Sequence, residues 1–97
     1  MTSYLYVIGN DTNRQKIGLS KDVNKRLKSL QTGNPEKLKI HYTIECPSDK
    51  TRKLESKIHA ELAYKRLSGE WFDMTPQEAM NYLEFARITW LDSYLIY

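Results

Sequence analysis

Four side chains, Tyr6, Lys16, Arg26 and Glu55, are of the types that act together on a phosphate ester. Hydrolysis of such an ester needs an activated water, positive charge against the phosphoryl oxygens and a leaving group that can depart. A phenol ionises only near a pH of about 10 on its own, so Tyr6 would serve as a general base only beside a cation. Lys16 follows at the spacing of a returning strand. A hairpin centred on residues 10–12 would pair it directly with Tyr6, where an ammonium favours the phenolate. Arg26 offers a planar fork of donors that matches phosphate oxygens. Each residue also has an ordinary use. Tyr6 could fill a core, Lys16 could keep an edge strand soluble, Arg26 could be a surface charge, and Glu55 could pair with Arg52 or Lys53.

The elements that must position these groups are readable in outline. Residues 3–9, SYLYVIG, are β-branched and aromatic without polar alternation, the pattern of a strand buried on both faces. Asn10-Asp11-Thr12-Asn13 is a turn cluster, and Arg14–Gly18 returns as a second strand. Ser20 is the expected N-cap of a helix over Lys21–Gln31, with Val23, Leu27 and Leu30 as its apolar stripe and Gly33-Asn34-Pro35 as its stop. Leu38–Cys46 alternates as a third strand, with Leu38, Ile40, Tyr42 and Ile44 on one face and His41 on the other, toward solvent or the open sheet face. After a break at Pro47 and Ser48, a helix over Lys50–Arg66 carries Leu54, Ile58 and Leu62. Gly69 ends it, and Glu70-Trp71-Phe72 is a compact aromatic segment. Thr75-Pro76 then opens a last helix with Glu78 in capping-box position and Ala79, Tyr82, Leu83, Ala86, Trp90 and Leu91 on its apolar face. The fold expected is α+β: a three-stranded, mainly antiparallel sheet flanked by helices, in the order β-β-α-β-α-α. With no linker or repeat, residues 1–97 are expected to form one domain.

Composition fits a globular protein, with 40% apolar and 28% charged residues. The net charge of +3 is modest, but its distribution is polarised. Eight basic residues between 14 and 39 face only Asp22 and Glu36, whereas from residue 71 onward Arg87 faces Asp73, Glu78, Glu84 and Asp92. Such a chain can present one side to a polyanion. No apolar run is long enough for a membrane span, and MTSYLYVIGN lacks the layout of a signal segment. A lone cysteine, Cys46, suggests a reducing compartment, so a cytoplasmic location is expected.

Five of these features, taken in order, resemble the GIY-YIG nuclease superfamily. Tyr4-Leu5-Tyr6 stands where the first tripeptide of the name would be, and Lys16-Ile17-Gly18 where the second would be. GLSKDVNKRL, Gly18 to Leu27, is similar to the family's glycine-to-helix transition, with Arg26 at the place of its catalytic arginine. Glu55 in KLESKIHAEL matches its metal-binding glutamate, and Gly69-Glu70-Trp71-Phe72 resembles a segment of small phage-type members. The resemblance covers residues 3–80. Tyr4 replaces the first glycine, Lys16 replaces the second tyrosine, Leu30 stands one turn beyond Arg26 where histidine or tyrosine is common, and no asparagine of the family site can be matched.

The resemblance implies a metal-dependent endonuclease acting on DNA. Tyr6 would be the base assisted by Lys16, Arg26 would lie on the phosphate, and Glu55 would hold Mg²⁺, with Mn²⁺ as a substitute. Tyr4, Ser20, Lys21, Lys25, Lys28 and His59 are the candidates for substrate contacts, His59 lying one helical turn after Glu55. Glu70 could add a second carboxylate or serve as a cap. The chain would act as a monomer or a homodimer. Two other readings stand beside this one: a weak or inactive nucleic-acid-binding module that keeps the basic face, and a phage protein acting on a host protein through the apolar tail Ser93-Tyr94-Leu95-Ile96-Tyr97.

Overall fold

The computed structural model describes residues 2–68 and 71–91. Gly69, Glu70 and the tail from Asp92 to Tyr97 lie outside the described residues, so the expectations placed on them stay with the sequence. The elements in order are β1 (Thr2–Gly9), β2 (Arg14–Ser20), α1 (Val23–Gln31), β3 (Lys39–Pro47), α2 (Ser48–Glu61), a 3₁₀ turn (Ala63–Lys65), β4 (Trp71–Asp73), α3 (Pro76–Ala86) and a π-helical segment (Arg87–Leu91). The sheet has four antiparallel strands in the order β3-β1-β2-β4, not the three expected. The fourth is Trp71–Asp73, which pairs with Arg14–Lys16. Three residues are too few for a period-two pattern to be visible in sequence. No helix among the described residues is long and apolar enough to cross a membrane.

The central strand β1 is covered on both faces, which explains its unbroken apolar run. Leu5 and Val7 point into a large core with Ile17, Ile44, Leu54, Ile58, Phe72 and Leu83, beneath α2 and α3. Tyr6 and Ile8 point the other way, into a smaller core with Leu38 that Val23, Leu27 and Leu30 of α1 close from above. Residue β3 alternation does not run through as the sequence suggests. A register shift between Val7 and Ile8 pairs Val7 with Tyr42 but Ile8 with Ile40, leaving His41 as the extra residue. One extra residue reverses the faces of everything beyond it. Tyr42 and Ile44 therefore pack against the large core, while Ile40 and Leu38 pack against the small one. The bulged His41 turns back to the hairpin, where its Nε2 donates to Asn10 O at 2.9 Å.

Local chemistry sets the element ends. Asn10 Oδ1 accepts from Thr12 N and Arg14 N and shapes the four-residue turn. The N-cap of α1 is Asp22, which accepts from Lys25 N at 3.0 Å; Ser20 instead accepts from Asp22 N and braces the approach. Gly33, at φ 77°, occupies the left-handed region and ends that stretch of chain. Helix α2 starts at once after Pro47, at Ser48 rather than Lys50, because Thr51 Oγ1 donates to Pro47 O and folds the first turn back on β3. It stops at Glu61, where the chain tightens into the 3₁₀ turn. The capping box of α3 forms as its sequence predicts, with Thr75 and Glu78 exchanging bonds and Pro76 in the first turn.

An electrostatic contact ties α3 to β3. Glu84 receives Arg87 Nη2 at 2.8 Å and the hydroxyl of Tyr42, and these two donors hold its carboxyl at about 2, below the ordinary 4.5. The same bond raises Tyr42 above its ordinary 10. A depressed carboxylate contributes stability above its unfolded value and loses it as pH falls through the folded one. A raised phenol contributes below its unfolded value and loses that contribution only at high pH. The melting temperature should therefore fall between 4.5 and about 2 more steeply in the wild type than in Glu84→Gln, as followed by scanning fluorimetry. Parallel curves would show that the contact carries no acid sensitivity.

Candidate active site

The sheet face under α1 gathers the three cation and phenol groups of the first half. Tyr6 faces Gly18 across the β1–β2 ladder, and Lys16 faces Ile8. The direct pairing of Tyr6 with Lys16 expected from the hairpin does not occur, because the four-residue turn starts at Asn10 and sets the register two residues further along. Tyr6 and Lys16 still share one face, as diagonal neighbours. Arg26 touches the phenol, its Nε donating to Tyr6 Oη at 3.2 Å. Asp22 capping brings this about, since it starts α1 at Val23 and sets Arg26 one turn in, above β2.

Gly18 is what allows the arrangement. A Cβ at this position would lie 2.5 Å from Tyr6 Oη and 2.8 Å from Cζ, so the phenol crosses β2 where there is no side chain. The requirement is steric, not one of backbone freedom. The ring itself is only 1% exposed and is a core residue as well as a polar one.

The substrate-contact candidates fall into separate groups. Ser20, Lys21, Lys25 and Arg26, with Asp22 and Ser29, line a groove of about 360 Å³ along one flank of α1. Tyr4 lies on the other flank, in a groove with Val23, Ile40 and Thr43 that Lys21 also borders. Lys28 lies further along, beside Leu27, Gln31 and Leu38. Lys16 is 8% exposed, and its Nζ stands 5.7 Å from the centre of the Trp71 ring. Arg14 stands over the same ring at 5.3 Å.

Glu55 and His59 belong to α2, on the opposite side of the sheet. His59 Nε2 donates to Ile17 O at 2.7 Å, just past Lys16, the last β2 residue paired to β4, and its ring meets Phe72 edge-on at 5.2 Å. Its accessible ring nitrogen chemistry is thus partly spent on holding α2 to β2. Glu55 is half-buried one turn earlier on the same side of the helix, so the sheet stands between its helix and the Tyr6–Arg26 face. The sequence assigns no role to Trp71 or Arg14. Their signal is visible only once β4 is known, because β4 is what sets the indole beside Lys16.

Across residues 3–87 the chain matches the family model described as the T5orf172 domain. No curated protein and no solved structure matches it.

Proposed function

Because the chain belongs to the T5orf172 domain family, a phage-associated family related to nuclease-like domains, we propose that it is a GIY-YIG-type endonuclease hydrolysing DNA phosphodiester bonds. The observation that carries this reading is the bond from Arg26 Nε to Tyr6 Oη beside a groove rich in cations. A guanidinium has five N–H donors, so Arg26 can hold Tyr6 with one and phosphate oxygens with others. The guanidinium is placed to stabilise negative charge on the phenol oxygen as its proton leaves. Tyr6 then takes a proton from water, the water oxygen forms the new bond to phosphorus, and the bond to the leaving strand breaks with its electron pair. Lys16 adds positive charge on the same face, while Ser20, Lys21 and Lys25 hold neighbouring phosphates.

Glu55 offers a single carboxylate, and among the described residues no cluster of three His, Cys, Asp or Glu side chains could hold a metal. That donor set fits Mg²⁺ or Mn²⁺, which keep several waters and take further ligands from substrate; it does not fit a closed zinc site. When bound, such an ion would neutralise charge on the phosphoryl oxygens.

Supercoiled plasmid tests the proposal. Nicking is expected with Mg²⁺, lost in EDTA, and abolished in Glu55→Ala with an unchanged far-ultraviolet dichroism spectrum. Undiminished nicking by that variant would remove Glu55 from the mechanism. The burial of Tyr6 and the position of Glu55 across the sheet favour a second reading, binding without cleavage. It would show as salt-sensitive binding that persists in EDTA, with no nicking in either metal.

A further inference from the structure

A second groove, of about 460 Å³, lies between the end of α1 and β4, and its character differs from the first. Trp71 and Arg14 form one wall; Ser29, Thr32, Asn34 and Glu36 are among the residues of the other. The Trp71 indole and the Arg14 guanidinium over it, 5.3 Å from the ring centre, are planar groups of the kind on which nucleobases stack. Lys16 Nζ stands over the same ring at 5.7 Å, so a base would add to the outer face of this assembly rather than enter between its members. Glu36 makes this groove a poor host for a phosphate, whereas the flank at Lys21, Lys25 and Arg26 suits one. Ser29 borders both grooves, so they meet along α1. A strand with a phosphate at Arg26 can therefore continue toward Trp71.

We propose that the Trp71–Arg14 groove binds an unpaired nucleobase next to the phosphate held at Arg26, so that the preferred substrate is single-stranded or carries an extruded nucleotide. The inference rests on the phosphate site at Arg26. In a regular duplex both faces of each base are covered by its neighbours, and the groove would have nothing to stack. Volume agrees with the assignment, since small-molecule sites begin at roughly 300 Å³ and this groove exceeds that.

Binding of a fluorescein-labelled oligothymidine, followed by anisotropy, tests this with an abasic site moved along the oligomer one position at a time. The wild-type protein should lose affinity by about 5- to 100-fold when the abasic site reaches one particular position, and little elsewhere. Trp71→Leu should lose a similar factor on the intact oligomer and be indifferent to the abasic site. Oligouridine of the same length distinguishes RNA from DNA as the source of the base, and a duplex competitor, which can reach only the phosphate site, should displace either one less effectively than the unlabelled single strand does. Weakened binding by Arg26→Ala together with a flat abasic scan in the wild type overturns the base site alone. Wild-type binding by Arg26→Ala overturns the phosphate site beneath it. The abasic scan uses the unmodified protein, so it decides the question even if Trp71→Leu folds poorly.

Discussion

Tyr6→Phe is expected to slow metal-dependent plasmid nicking by about 10²–10⁴-fold while changing stability by only about 1 kcal/mol. The two effects would separate because the proposed role uses only the phenol oxygen, whereas the core uses the ring. Its ring is buried with Ile8 and Leu38 and remains in phenylalanine; only the oxygen that Arg26 holds is lost. Gly18→Ala approaches the same oxygen from the other side. The added methyl would meet Tyr6 Oη at 2.5 Å and push the phenol off Arg26, so it should combine a large loss of nicking with overpacking of about 1–3 kcal/mol. A Tyr6→Phe variant that nicks at the wild-type rate would show that the base lies elsewhere, whatever Gly18→Ala does.

Arg26→Ala should be nearly as severe, at about 10²–10³-fold in nicking rate, because it removes donors aimed at developing charge. It should also alter binding in a way Tyr6→Phe does not. Losing one phosphate contact lowers the slope of log affinity against log salt by about 0.9 on duplex DNA. Arg26→Lys, which keeps the charge but not the fork, should restore the slope and not the rate. A rate restored by lysine would mean that charge alone suffices at this position. The cost to folding is small, since Arg26 is only half-buried at the rim of the small core.

Much of the frame behind these variants could be read from residue types. The unbroken apolar run of β1, the asparagine-rich turn, the stripe of α1 and the Thr75–Glu78 cap are local signals, and each formed where expected. What failed depended on partners distant in sequence. Trp71-Phe72-Asp73 becomes a strand only because Arg14–Lys16 offers an edge. The bulge at His41 depends on which residues of β1 lie opposite, and no period within β3 announces it. Tyr6 lies directly opposite Gly18 with Lys16 on the diagonal, because a hairpin's register is decided by where its turn begins. Glu55 is on the expected helix, yet the sequence is silent on that helix lying beneath the sheet rather than above it.

The unequal layers on the two sides of the sheet have a mechanical consequence. Among the described residues the small core has three buried members, the large one thirteen, and α1 itself buries none. Lifting α1 away uncovers far less apolar surface than global unfolding does, so its amides should exchange with solvent at a lower free energy than those of β1. The lysines of α1 repel one another, and a polyanion laid across them would cancel that repulsion and hold the helix down. If phosphate binds there, its affinity and the rigidity of the site would be coupled, each rising with the other.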